Sequence, residues 1–551
     1  MVALKMSRER AKPAGWGVLF LACAFAAFAV PASGQTPGQT NSETQRRQEQ
    51  LEQAQPSPET GPQQDLVIGP EYSNPDMPPP GAGPQFALMA VQIDSSQFLG
   101  RAEIDPILQQ YVGKEVNFAD LSAIVGRLNA LYAAKGQITA RAILPPQRIE
   151  GGVVHIALVE GKIGAVMLEG ATTTDETYIR NTLSLTPGAI VDANELSRSI
   201  LFFNRTNLAQ LRAVLKPGAN FGQTDLTLAV QDAPVNDFQI FLDNEGAEST
   251  GREEAGIFYH HNGLLGRDDR LTVFGLLSRG GLTGSLSYNV PVDYAGDRLA
   301  VSYQRDHISI VQGPNSALDI SGSGQTATIG ITHPFVADQR WIVTGGVSGS
   351  GGTSKTHVPG SLISDSTTYR GILNLSLTYV DDPVIASFAP SFTYARNHDS
   401  VLSRDRDLSI LTATANVLAQ LGGGRNLQLN AAGQYSGDKL LPPDLLFQIG
   451  GPSSVRGYAI GAVAGDSGFY ADVELHQNLG EKFLNLDIFA FADNGTVFST
   501  QPASRTLSSA GAGFIVKPGP VTVAVSAGFP LRTVLPGQKD PAIYARVSLQ
   551  L

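Results

Sequence analysis

The stretch Ile543-Tyr544-Ala545-Arg546-Val547-Ser548-Leu549-Gln550-Leu551 alternates two chemistries residue by residue. Successive side chains of a strand point to opposite faces, so Ile, Ala, Val, Leu and Leu share one face. Tyr, Arg, Ser and Gln share the other. In a soluble sandwich the apolar face would be core. In a membrane barrel it would face lipid, and the polar face would line a lumen. The polar face separates the two readings, because a water-filled lumen accepts Arg546 and Gln550 without a burial cost. Val521-Thr522-Val523-Ala524-Val525-Ser526-Ala527-Gly528-Phe529 shows the same alternation. From Val235 onward such segments recur between clusters of Gly, Asn, Asp and Ser, and helical periodicity stops. Residues 234–551 have room for roughly sixteen antiparallel strands of about 9–11 residues plus loops. An even strand count returns both barrel ends to one side of the membrane.

The rest of the chain suits export. Lys5, Arg8, Arg10 and Lys12 precede a short apolar run, Val18 to Val30. A small-residue cleavage site follows at Val30-Pro31-Ala32 or Ala32-Ser33-Gly34, so residues 1–34 read as a signal peptide. The one cysteine, Cys23, lies inside that run. The mature chain is then cysteine-free, which excludes disulfides, thiolate zinc sites and cysteine nucleophiles. The formal charge is −11 and no basic stripe appears, which argues against a nucleic-acid partner.

Residues 35–80 are rich in Gln, Pro, Ser and Gly and read as a linker. Within them Ser42–Ala54 has good helix formers but almost no apolar face. Such a helix cannot dock on a core, though it could sit in a wet lumen. Two units of similar plan follow, at 81–161 and 162–233. In the first we expect strand Phe86–Ile93, a short helix Glu103–Tyr111, and a longer helix capped by Asn117 and running through Ala134. Strands Thr139–Leu144 and Val153–Glu160 complete it. The second repeats the order with strand Ile163–Leu168, a helix near Glu176–Leu183 and a helix capped by Asp192 with Glu195 three residues on. Strands Leu211–Leu215 and Asp225–Val230 close it. The order β-α-α-β-β, twice, is an internal repeat.

Two short motifs remain. Val455-Arg456-Gly457-Tyr458 follows Ile449-Gly450-Gly451-Pro452-Ser453-Ser454, and Phe491-Ala492-Asp493-Asn494-Gly495 lies further on. Each sets one charge among glycines. Together they resemble the two-partner secretion transporters of the outer membrane, the haemolysin secretion/activation type within the polypeptide-transporting barrel superfamily. The resemblance extends to Asp243-Asn244-Glu245-Gly246, to Ser287-Tyr288-Asn289-Val290-Pro291-Val292 and to Gly465-Asp466-Ser467-Gly468-Phe469-Tyr470. The repeats resemble tandem POTRA domains, carried by Gly136-Gln137-Ile138-Thr139 and Val159-Glu160-Gly161. Such barrels usually end in an aromatic residue, and this one ends in Leu551.

The resemblance implies a mixed fold: two periplasmic α+β POTRA domains before a transmembrane antiparallel barrel. It implies that the Val455–Tyr458 loop folds back into the lumen and that Arg456 meets Asp493 on the wall. Phe491 and Gly495 complete the wall motif, and Ser42–Ala54 corresponds to a lumenal plug helix. The implied partners are a large secreted exoprotein with an N-terminal secretion domain, outer-membrane lipid, and the barrel-assembly machinery during biogenesis. An open sheet edge accepts an extended chain through backbone hydrogen bonds. The edge strand Thr139, Ala140, Arg141, Ala142, Ile143 and Leu144 is our candidate for substrate binding. Two other readings are a barrel-assembly factor, which commonly carries more repeats, and a passive porin, which needs none.

Enzymatic readings fare poorly. His260-His261 lacks a carboxylate pattern, Gly422-Gly423-Gly424-Arg425 reads as a hairpin tip, and Gly322-Ser323-Gly324 lacks a strand-to-helix elbow. We expect no catalytic residue, no metal and no cofactor.

Overall fold

A computed structural model describes residues 84–170, 173–313, 315–498, 504–534 and 541–551, together with Gln48 and strand Leu66–Ile68. Residues 1–34 lie outside them. Two small α+β units lead into a closed barrel of sixteen antiparallel strands.

In the first unit the chain changes partners early. Phe86–Ala87 pairs with Glu115–Val116, and Ala90–Ile93 then runs parallel to Val153–Ile156. The expected single strand Phe86–Ile93 is therefore broken at Leu88–Met89, whose N–H groups bond Lys114 and Gly152 carbonyls. The first helix, Arg101–Leu108, begins and ends earlier than expected. The second is Phe118–Ala134. Asn117 Oδ1 accepts from Asp120 N at 3.1 Å while the Asp120 carboxylate accepts from Asn117 N at 3.0 Å. This reciprocal cap fixes the helix start. Leu121, Ile124, Leu128 and Tyr132 form its buried stripe and pack on Ala140, Ala142, Val154 and Ile156. Ala140–Ile143 is an edge strand of the three-stranded sheet.

The second unit follows the expected plan, with helices Glu176–Thr182 and Ala193–Thr206 over strands Lys162–Glu169, Gln210–Pro217 and Gln223–Gln231. Its sheet gains an unexpected member. Leu66–Ile68, from the presumed linker, runs parallel to Ala213–Leu215 and covers that edge. Three apolar residues amid Gln and Pro gave no strand signal.

The barrel closes where Gln239–Asp243 pairs with Arg546–Gln550. The polar face of the last strand meets more than water. Arg546 Nε lies 3.2 Å from Asp243 Oδ2 and also pairs with Glu245, while Gln550 reaches Asp237. The opposite face is apolar: Ile240, Leu242 and Ile543 are exposed, as are Leu277, Leu286 and Leu373 on other strands.

The second unit is seated on the turns at the end of the barrel where the chain enters it. Asp268, between strands Glu254–Asn262 and Arg270–Ser278, is buried. Its carboxylate accepts from Leu208 N at 2.9 Å, Ala209 N at 2.8 Å and Arg298 Nη1 at 3.2 Å. Leu208 and Ala209 follow the second helix of the unit, so one carboxylate joins the α+β unit to two barrel turns. Asp268→Ala strands two backbone donors and leaves Arg298 without this partner. Amide exchange at 208–210 should speed up about tenfold or more, with barrel strands unchanged. Unchanged exchange there would show that this carboxylate does not hold the junction.

Candidate functional site in the barrel lumen

The longest connection in the barrel joins Arg425–Ser436 to Ser467–Asn478, and it does not cap the barrel. It turns inward as a small hairpin, Phe447–Ile449 with Val463–Gly465. Between these strands sits the Val455–Tyr458 motif. Phe447, Ile449, Val455, Tyr458 and Val463 pack against Tyr470, Val497 and Leu507 of the wall.

Arg456 is 7% exposed and Asp493 is 3% exposed. The guanidinium grips the carboxylate with both arms: Nε to Oδ2 at 2.9 Å and Nη2 to Oδ1 at 2.6 Å. The Arg456 backbone N–H also donates to Asp493 Oδ2, at 2.9 Å, and Ser509 Oγ donates to the same oxygen at 3.2 Å. The remaining arm, Nη1, bonds Glu474 on the neighbouring wall strand. The Phe491 ring lies beneath, with the guanidinium carbon 3.4 Å from its centroid. A planar fork, two carboxylates and an aromatic face suit arginine and would not suit lysine.

Glycine shapes the approach. Gly457 has φ +86°, and a Cβ there would lie 2.9 Å from Pro530 Cδ and 3.0 Å from Gly528 O. Gly457 N donates to Tyr544 Oη at 3.0 Å, and Tyr544 Oη donates to Tyr458 O at 3.1 Å. A Cβ on Gly495 would press on Tyr470 Cβ at 3.0 Å and Val455 Cγ2 at 3.1 Å. The structure therefore brings Val455, Arg456, Gly457, Tyr458, Phe491, Asp493 and Gly495 into one cluster. Sequence reasoning missed Glu474, Ser509, Gly528 and Tyr544 within it. Tyr544 and Glu474 carried a usable signal, since both fall on polar faces of alternating strands.

The model of the haemolysin secretion/activation protein family ShlB/FhaC/HecB matches residues 222–516, more than half of the chain. The chain belongs to this family. A POTRA domain of ShlB type matches residues 86–161, the first α+β unit. The outer membrane transporter CdiB of Escherichia coli is 25% identical over 95% of this chain and 92% of its own length. The heme/hemopexin transporter protein HuxB of Haemophilus influenzae is 25% identical over 82% of this chain and 81% of its own. The solved structure of CdiB from Escherichia coli superposes with a TM-score of 0.67 at 20% identity, covering 94% of this chain and all of that one. BamA from Haemophilus ducreyi, lacking POTRA domains 1–3, reaches 0.52 at 15% identity and shares the fold. The protein is thus an outer-membrane secretion transporter of the two-partner type, with its α+β region on the periplasmic side.

The edge strand of this transporter's POTRA domain lies apart from the lumen cluster. Its regular part is Ala140–Ile143, shorter than expected; the Thr139 hydroxyl donates to Val191 O at 3.3 Å, and its carbonyl accepts from Gly161 N at 3.1 Å. Leu144 packs on the domain core, while Arg141 and Ile143 are half-buried. The Asn129 side chain satisfies the outward backbone of Ala142: Ala142 N donates to Oδ1 at 2.7 Å, and Nδ2 donates to Ala142 O at 3.2 Å. This edge is capped at its centre. Of the segment Ser42–Ala54, only Gln48 lies among the described residues. It is helical and donates from Nε2 to Ser285 Oγ, 2.8 Å away on strand Gly281–Pro291.

The histidine pair sits on strand Glu254–Asn262, where His260 Nδ1 lies 3.0 Å from Thr272 Oγ1. Gly422–Gly424 forms the turn between Arg404–Gly422 and Arg425–Ser436, each glycine with positive φ. Gly322–Gly324 lies within strand Ser321–Ala337.

Proposed function

We propose that this transporter binds one large unfolded exoprotein in the periplasm through its α+β units and passes it outward through the barrel. The inward loop closes the lumen, and the Arg456–Asp493 pair latches it. The observation carrying this reading is the buried, bidentate grip of Arg456 on Asp493 at the tip of a loop packed against the inner barrel wall. A contact pair at intermediate dielectric gives roughly 4 kcal/mol of Coulomb attraction before desolvation is subtracted. That suffices to position a loop, while the continuous strand ladder holds up the barrel. Folding of the passenger outside the cell would drive export, because no nucleotide is available in the periplasm. The role is transport, with no catalytic residue and no cofactor.

Residues 81–161 and 162–233 act in this reading as tandem POTRA domains. The edge Thr139–Leu144 receives the passenger as an added strand once Asn129 releases Ala142. Ser42–Ala54 acts as a plug in the lumen, supported by the contact of Gln48 with Ser285. The barrel is inserted by the barrel-assembly machinery and bathed by outer-membrane lipid.

A photoreactive residue at Arg141, and another at Ser302 on the wall, test the path. Both should cross-link to the same large secreted polypeptide. Asn129→Ala should raise the yield at Arg141 severalfold, since the edge no longer needs uncapping. Cross-links at neither position would refute the proposed path, and a lower yield in Asn129→Ala would assign Asn129 a direct contact instead.

A further inference from the structure

The latch does not end at Glu474. His476, two residues on, is 3% exposed and stands between two carboxylates. Its Nε2 lies 2.9 Å from Glu474 Oε2, and its Nδ1 lies 2.9 Å from Asp487 Oδ2. Phe489 stacks on the ring at 4.8 Å between centroids, with 19° between planes. The result is a continuous chain: Asp487, His476, Glu474, Arg456, Asp493. It starts beside the periplasmic turn 478–487 and ends at the loop tip. We infer that His476 is a positioning residue for the latch, holding Glu474 in the orientation that grips Arg456. The inference rests on the reading of Arg456 as the latch.

The geometry states what the ring must do. A neutral imidazole has one N–H and can donate to only one carboxylate. Two carboxylates at hydrogen-bond distance from both nitrogens are both satisfied only when both nitrogens carry protons. The charged groups facing the ring are Glu474 directly and Asp472 further along its own strand, and Asp487 directly and Asp493 beyond it on Asp487–Phe498. Arg456, from the loop, holds the other oxygen of Glu474. The strand on the other side offers neutral amides, since Asn426 and Gln428 pair with His476 and Glu474. Loss of one ring proton breaks one of the two bonds and lets Glu474 turn away from Arg456. Nothing in this arrangement requires a ligand, so the empty transporter is sufficient for the test.

Single-channel recording of the full-length transporter in planar bilayers provides that test, with heat modifiability confirming a folded barrel for each variant. We expect His476→Ala to raise the fraction of time in large-conductance openings about five- to twentyfold. His476→Gln, which keeps one donor, should fall between it and the parent. Raising pH from about 6 to about 9 should increase openings in the parent and leave His476→Gln flat. In a Glu474→Ala background, His476→Ala should add nothing, because it acts through Glu474. A full His476→Ala effect in that background would overturn the inference, as would a flat parent profile. Arg456→Ala keeps the two readings apart. If it does not raise openings, the latch reading itself fails. If it raises them and His476→Ala does not, only the role of His476 fails.

Discussion

Arg456→Ala and Asp493→Ala should each lower export at least tenfold, read as secreted protein, while a heat-modifiable barrel still reaches the outer membrane. The size follows from what each change leaves behind. Removing Arg456 leaves Asp493 in a nearly dry site with Ser509 as its one side-chain donor and takes from Glu474 one of its two partners, while removing Asp493 leaves the guanidinium with Glu474 alone. Breaking a buried pair from one side costs about 3–5 kcal/mol, more than the pair's net worth. That penalty falls on the docked loop, since the loop can leave and the barrel ladder does not depend on it. If the contact is direct, Arg456→Asp combined with Asp493→Arg should recover more export than the product of the two single defects. Glu474 makes the swap imperfect, because an aspartate at 456 would face it. Independent, multiplicative defects would argue against a direct contact.

Gly528→Val should displace the same loop without touching a charge. A Cβ on Gly528 would lie 2.6 Å from Gly457 N and 2.9 Å from Arg456 C, both backbone atoms that cannot swing aside. The strand itself tolerates valine well, so the conflict falls on the loop. Large-conductance openings should increase about as much as in Arg456→Ala, and export should drop by a similar factor. Gly371→Ala is the matched control, since a Cβ there meets nothing within 4 Å. Normal conductance and export in Gly528→Val would mean that the loop does not need this seat.

The two effects also separate what the sequence made legible from what it hid. Strand alternation in Ile543–Leu551 announced a two-faced barrel strand, because period 2 is a property of neighbouring residues alone. Asn117 and Asp192 announced helix starts for the same local reason. Arg456 and Asp493 were legible only as a pair of motifs, and only through resemblance. Nothing in the spacing says that residues 37 positions apart touch. Gly528 was illegible, because its importance lies in another segment's backbone pressing on it. Asn129 was hidden in the same way: it sits on a helix flank, and its partner Ala142 shows no polar side chain. The break at Leu88–Met89 and the strand Leu66–Ile68 depend on distant sheet partners that local pattern cannot name.

The central claim is that this barrel serves a dedicated secreted passenger. Quantitative mass spectrometry of the culture medium and the outer membrane, comparing the parent strain with a deletion and with Arg456→Ala, tests it most directly. The account predicts that one large protein disappears from the medium in both strains while other outer-membrane barrels keep their levels. A broad fall in outer-membrane barrels would contradict it in favour of an assembly factor. An unchanged medium, with the transporter expressed in the parent, would leave a passive pore as the better description.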